Sequence, residues 1–203
     1  MSYRSWAPRT ACRPRGSPRR GRNGRRWRNC PGPGPHCWSA APSGARGWTP
    51  AAAGELAARV AAGSGSILAT TSRRTGEAAA AAVAQRLEAK PGRLFRWGDA
   101  GPNPFAGFLA WADAVVVTGD SVSMLSEALA AAAPVFVAMP GLDPLAAPRH
   151  AALHQSLYGA GQARPFDAFP EPFARAPLDE SGRVAAEILA AGLLPAAGGV
   201  TAR

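Results

Sequence analysis

The chain has 203 residues and a formal charge of +10 at neutral pH, with 47% hydrophobic and 18% charged residues. That length suits one domain with a core of its own, and no apolar run approaches the ~18 residues of a membrane span. No apolar h-region stands near the amino terminus, which excludes a secretory signal and points to a cytoplasmic protein.

The charge is unevenly placed. Residues 1–50 hold 11 of the 23 Lys and Arg and none of the 13 acidic residues, so they carry +11 and the remaining 153 residues carry −1. All three cysteines (Cys12, Cys30, Cys37) and four of six tryptophans lie in this stretch, among Pro-Gly runs such as Pro31 to Pro35. No hydrophobic period of 2 or 3.6 is visible, and a segment so basic and poor in apolar residues cannot bury enough surface to offset its ordering entropy. Residues 1–48 therefore read as a disordered basic head. Three accounts of it compete. Arg19 to Arg28 (RRGRNGRRWR) has the Arg and Trp of a nucleic-acid arm, for phosphate contact and base stacking. An acid-free, Arg-rich head also occurs in targeting peptides, although Pro and Gly spoil an amphipathic helix. The preferred account is a wrong reading frame or start, because Arg, Pro, Gly, Ala and Trp are what GC-rich DNA tends to encode out of frame and the composition changes abruptly near Thr49. Cys30, His36 and Cys37 do not have zinc-site spacing, and no metal is expected.

From Thr49 the pattern becomes regular. Ala51 to Ala62 is an Ala-rich helix with Leu56 and Val60 one turn apart, stopped by Gly63, Ser64 and Gly65. Ser66 to Thr71 is a short buried strand, which runs into Ser72-Arg73-Arg74-Thr75 and a second helix over Gly76 to Ala89. Two arginines at a helix start face the positive end of its dipole, a cost of about 0.3–1 kcal/mol each. A bound anion would reverse that sign; the alternative is that both swing into solvent and pair with Glu77 or Asp99. Arg93 to Trp97 is the next strand, Gly98 to Pro102 a loop, and Asn103-Pro104 open a short helix as N-cap and first residue. Its Phe105, Phe108, Leu109 and Ala112 form a core face.

The stretch Ala114 to Met139 is one βαβ unit. Strands over Ala114 to Thr118 and Pro134 to Ala138 flank a helix that opens near Ser121, and their separation leaves room only for parallel pairing through a crossover. A helix starting just after a strand aims unpaired N–H groups and positive dipole at what lies beyond the strand's carboxyl end, a common seat for phosphate. Asp120, Ser123, Met124 and Glu127 fall on one stripe, so hydroxyls and amides come first and a carboxylate about two turns later. That order suits a nucleotide diphosphate with its ribose at Glu127. The plain alternative is that Asp120 or Ser121 is an ordinary N-cap and the rest a solvated face.

Beyond Met139, breaks at Pro140-Gly141 and Pro144 precede a helix within Leu145 to Ala160, interrupted at Pro148. His150 and His154 stand one turn apart; with no third ligand nearby they read as a solvated face. Residues 161–180 are a Pro/Phe-rich connection, Ser181 to Ala191 is a closing helix that packs Val184, Ile188 and Leu189, and 193–203 is a flexible tail. Four strands alternating with helices over 49–192 describe a doubly wound α/β domain, whose ligands bind outside the carboxyl ends of the strands. Both anion-friendly loops directly follow strands.

Thr71 to Gly76 (TSRRTG), Gly98 to Phe105 (GDAGPNPF) and Ala112 to Ala128 (ADAVVVTGDSVSMLSEA), in this order and at these spacings, resemble the mitochondrial fission ELM (elongated mitochondria) family of plants and bacteria. The resemblance covers residues 49–192, and the chain reads as a bacterial member. It implies a single Rossmann-like domain of the kind that forms the carboxyl-terminal half of two-domain nucleotide-sugar glycosyltransferases. In that setting Arg73, Arg74, Ser121, Ser123 and Glu127 would line a nucleotide-diphosphate pocket. The full candidate ligand set is Ser72, Arg73, Arg74, Thr75, Asn103, Asp120, Ser121, Ser123, Met124 and Glu127, with no catalytic residue assigned and no cofactor beyond the nucleotide-sugar substrate. Family members carry a first Rossmann-like domain where this chain has its basic head, so a two-domain cleft would lack half its wall and the chain as written is expected to be a truncated, inactive transferase. Ala132 also stands where the family has Gly, which implies a strained left-handed helix cap.

Two functional classes remain: a nucleotide-sugar-binding domain of a glycosyltransferase-like protein, or a non-catalytic adaptor on the same fold. The plant family member looks like such an adaptor, one that brings a dynamin-type GTPase to mitochondria. Nucleic-acid binding requires the head to be genuine. A serine hydrolase using Ser121 and His150 is disfavoured, because the Gly-x-Ser-x-Gly elbow is missing.

Overall fold

The computed structural model describes the backbone of residues 35–40 and the whole of residues 49–139, 148–167 and 173–193. Six strands form one sheet: β1 (Pro35–Ala40), β2 (Ser66–Thr71), β3 (Gly92–Phe95), β4 (Ala114–Thr118), β5 (Val135–Ala138) and β6 (Arg164–Pro165). The connecting elements are α1 (Pro50–Gly63), a 3-10 turn (Arg73–Thr75), α2 (Glu77–Leu87), α3 (Phe105–Trp111), α4 (Val122–Ala130), α5 (Pro148–Gly159) and α6 (Glu180–Ala190). All neighbouring strands pair in parallel, in the order β3-β2-β1-β4-β5-β6. This is the doubly wound, Rossmann-like order, and the fold is a single Rossmann-like domain.

The alternation within β4 explains the layers. All five of its residues are buried. Ala114 and Val116 join α1, α2 and Phe136 in one core cluster, while Val115 and Val117 join α3, α4 and Leu157 of α5 in the other. Period-2 side chains on a strand buried on both faces require this, and it is why the strand reads as a continuous apolar run. The expected core face of α3 is there too, with Phe105, Phe108 and Leu109 each under 10% exposed.

The sheet has six strands where four were expected. β1 falls inside the segment assigned to the head, and it is the centre of the sheet: Pro35–Ala40 pairs along Ser66–Thr71 on one side, and His36–Ser39 along Ala114–Val117 on the other. PHCWSA has neither β-branched residues nor alternation, so its strand state comes from ladders on both flanks rather than from propensity. Residues 1–34 and 41–48, with Cys12, Cys30 and the Arg-rich run, lie outside the described residues, as do 140–147, 168–172 and the tail from 194. β6 is two residues long, within the Pro/Phe-rich connection, and the next residue extends its pairing as Phe166 N–H donates to the Val137 carbonyl at 2.9 Å.

Three local expectations are corrected. α3 starts at Phe105, one residue later than read, with Pro104 at the cap position and the Asn103 side chain accepting from Phe105 N–H at 3.0 Å. α6 forms but closes nothing among the described residues: none of its own is buried, and Val184 and Leu189 stand 42% and 65% exposed. At the end of α4 no left-handed cap exists. Among the described residues no non-glycine has positive φ, and Ala131 leaves the helix in extended backbone. Arg175 takes over the capping. Its guanidinium donates to the carbonyls of Ala128, Leu129, Ala131 and Ala133 at 2.6–3.0 Å, satisfying acceptors that a helix end leaves orphaned and placing a cation at the negative pole of the dipole.

One glycine is dictated by close approach. Gly92 has φ +144°, and a Cβ there would lie 1.7 Å from the Ile67 carbonyl oxygen on the paired strand. Because that obstacle is backbone, Gly92→Ala is expected to lower stability by about 2–3 kcal/mol, read as a fall in urea midpoint at unchanged slope. A loss under ~0.5 kcal/mol would contradict the close packing of β3 on β2. No described helix is long and apolar enough to cross a membrane.

Candidate functional site

The loop after β2 is built by its own hydroxyls. Ser72 Oγ accepts from Arg74 N–H at 3.2 Å, and Thr75 Oγ1 accepts from Ser72 N–H at 3.0 Å, a reciprocal capping box that closes the 3-10 turn. Ser72 and Thr75 thus shape the loop rather than face outward. The helix expected to begin at Gly76 with two arginines in its first turn is instead split. Arg73 and Arg74 sit in the 3-10 turn, and α2 begins at Glu77 behind Gly76, whose φ of 73° re-aims the chain. Both arginines are exposed. Neither pairs with Glu77 or Asp99. Among the described residues the only ion pairs are those of Arg183 with Glu180 and Glu187 on α6, and Asp99 accepts from its own turn, at Arg96 N–H, at 2.8 Å.

The loop after β4 is tighter. Gly119 continues the ladder, its N–H donating to the Ala138 carbonyl at 2.9 Å. A Cβ at Gly119 would meet Met139 Sδ at 2.1 Å and His154 Cε1 at 2.7 Å, so side chains from the end of β5 and from α5 close over this residue. Ser121, 3% exposed, takes the N-cap position of α4 but makes no capping bond with its side chain. Asp120 is buried, has a partner of its own, and lies in the turn rather than on the helix stripe.

The two loops meet. Arg74 Nη2 reaches Ser121 Oγ at 3.5 Å. Since β1 lies between β2 and β4, this contact spans two strand spacings, roughly 10 Å, and passes over the carboxyl end of the central strand. That is the point where the strand order reverses, the crevice in which ligands of doubly wound sheets bind. A guanidinium, a hydroxyl and the first N–H groups of α4 there form an anion-ready wall. The other candidates are placed differently. Ser123 and Glu127 are exposed on α4, Met124 packs against the core under that helix, and the Asn103 side chain is committed to α3.

Three residues with functional or architectural weight escaped the sequence reading. Trp97 belongs to the same edge: it follows β3, donates its N–H to Thr71 Oγ1 at 2.9 Å, and leaves its indole 63% exposed. An unburied Trp beside a basic turn was the available signal. Arg175 sits in a Pro-rich connection with no local mark of its target. His154, expected on a solvated face, is 3% exposed. Burial holds its pKa below the ordinary value, and His150 adds to this, while the Gly119 main chain accepts from the ring and opposes them. Among the described residues no three His, Cys, Asp or Glu side chains lie close enough together to hold a metal.

A single parallel sheet in the order β3-β2-β1-β4-β5-β6, with an arginine-serine contact at its switch point, defines an α/β domain of Rossmann-like type. The chain belongs to the mitochondrial fission ELM1 family, whose model matches residues 42–191. It is 35% identical over 127 residues to the mitochondrial fission protein ELM1 of Arabidopsis thaliana, an alignment that takes in 61% of this chain and 29% of that protein. The chain therefore spans less than a third of the length of this relative. Among solved structures it is similar to the FMN-dependent cysteine decarboxylase SpaF at 17% identity, covering 77% of this chain and 96% of that one, with a TM-score of 0.41. A likeness that low carries neither cofactor nor reaction across.

Proposed function

We propose that this domain binds a nucleotide diphosphate sugar, as the nucleotide-holding domain of a glycosyltransferase-like protein in the cytoplasm. The reading rests on the Arg74–Ser121 contact: it joins two loops that each follow a strand, at the switch point, with no carboxylate neutralising Arg73 or Arg74 among the described residues. The diphosphate lies between the arginine turn and the start of α4, and the ribose hydroxyls reach Glu127 about two turns along the helix. Trp97 offers a flat apolar surface on the same edge for a base. No side chain of the crevice is assigned to bond cleavage, and its proposed role is binding.

A thermal-shift panel of UDP, GDP and their sugars tests it. At a hundredfold excess over Kd, binding adds about 2.7 kcal/mol, a rise of roughly 5–10 °C for a domain of this size. Glu127→Ala should shrink the rise for nucleotides while leaving inorganic pyrophosphate binding unchanged. If no nucleoside diphosphate moves the melting temperature, the second reading takes over. That reading is an adaptor surface, and the exposed apolar face of α6 favours it.

A further inference from the structure

One exposed apolar side chain carries little meaning by itself, since every folded surface has some. Trp97 differs in how it is held. It takes the second position of a four-residue turn, Arg96 to Asp99, that is closed twice: Asp99 N–H donates to the Arg96 carbonyl at 3.0 Å, and Asp99 Oδ2 accepts from Arg96 N–H at 2.8 Å. Gly98, in the third position, has φ 92°, the sign that a type II turn requires there. A third bond, from Trp97 N–H to Thr71 Oγ1 at 2.9 Å, ties the turn to the end of β2. The backbone that carries the indole is thus fixed before any partner arrives, while the residue stands 63% exposed. A rigid aromatic surface held in this way offers stacking area at low entropic cost.

The same turn sets a carboxylate two residues beyond the ring. The bond from Arg96 N–H uses one of its roughly four acceptor sites, and among the described residues Asp99 has no ion pair. The loop beside it is open, since a Cβ at Gly98 or Gly101 would meet no atom within 4 Å. Thr71, which anchors the turn, precedes Arg74 by three residues, at most about 11 Å of chain, so a single nucleotide can lie on Trp97 and reach Arg74 with its phosphates.

Bases differ in what they show a carboxylate. Guanine presents two adjacent donors, N1–H and the 2-amino group, which match the two oxygens as a fork. Adenine and cytosine set their amino group beside a ring-nitrogen acceptor. Uracil has a single N3–H between two carbonyl oxygens, and both of these repel the carboxylate. We infer that the Arg96–Asp99 turn reads the base of the bound nucleotide, stacking it on Trp97 and selecting guanine through Asp99. This rests on the nucleotide reading and adds to it which base is bound and which residue decides it.

Calorimetry of the whole chain with GDP, IDP, ADP, CDP and UDP is the test; IDP keeps N1–H and lacks the 2-amino group. GDP should bind at least tenfold more tightly than ADP, CDP or UDP, with IDP between, on the scale of one charge-assisted hydrogen bond. Asp99→Asn retains an oxygen for Arg96 N–H, so the turn is kept, but it lacks the second acceptor oxygen. It should bring GDP to within about threefold of ADP. Trp97→Ala should weaken all five by about tenfold, and Trp97→Phe should recover most of that loss. If Asp99→Asn does not fold, the five affinities of the parent chain decide. Binding of none of the five would remove the nucleotide reading and the guanine selection together. Equal affinity for all five, or a guanine preference that survives Asp99→Asn, would leave the nucleotide reading standing and overturn the role given to Asp99.

Discussion

Arg175→Ala is expected to destabilise the domain by about 3 kcal/mol, a drop of roughly 6–12 °C in melting temperature. The guanidinium is the common donor to four carbonyls around the end of α4, to Ala176 at 3.2 Å and to Gln162 Oε1 at 3.4 Å. Removing it strands several partly buried acceptors together, and a single main-chain acceptor left without a donor costs about 1–3 kcal/mol. Desolvation lowers its pKa, but a guanidinium starts so high that it remains charged. Lysine has three donors on a point charge and cannot span the carbonyls as a planar fork does, so Arg175→Lys should recover only part of the loss. Urea unfolding of the three proteins is the measurement. A change below 1 kcal/mol for the alanine variant would mean that solvent caps the helix as well as Arg175 does.

Arg74→Ala should weaken nucleoside diphosphate binding by about ten- to a hundredfold while changing stability by no more than ~0.5 kcal/mol. The two numbers have one origin. The side chain is exposed, so the folded domain gains little from it, but a charge-assisted bond to a phosphate is worth about 1.5–3 kcal/mol and each 1.4 kcal/mol is tenfold in Kd. Replacing Arg73 as well should deepen the loss by less than a second full factor, since both would serve the same phosphates. Calorimetry with UDP, UMP and uridine separates the contributions: the variant should lose its preference for UDP over uridine and retain whatever the base and ribose supply. If Arg74→Ala binds UDP as the parent chain does, Arg74 does not hold the phosphates and the crossing to Ser121 is only architectural.

What was legible in the sequence was whatever rests on near neighbours in the chain. The apolar run of β4 and the Leu56 and Val60 pair in α1 announce their burial through spacing, and both are realised. TSRRTG after a strand and GDS before a helix mark two loops as anion-friendly from dipole and hydroxyl chemistry alone. Misplaced features share a different cause. Pro35–Ala40 has no strand signature, because its state is decided by β2 and β4 on either side. The helix over Ser181 to Ala191 forms where Val184, Ile188 and Leu189 place it, but it does not close the fold as expected, because helical spacing says only that a face is apolar, and among the described residues nothing covers that of α6.

The sequence by itself determined the alternation of strand and helix, the parallel sense of the sheet and the two loops where an anion could sit. These follow from periods of 2 and 3.6 and from crossover length, which are local quantities. Only the tertiary structure decided that the loops meet over β1, that His154 lies buried beside Gly119, and that Arg175 caps a helix ending more than 40 residues earlier. Each is a meeting of residues far apart in the chain, fixed by strand order and layer packing, and no spacing along the sequence encodes it.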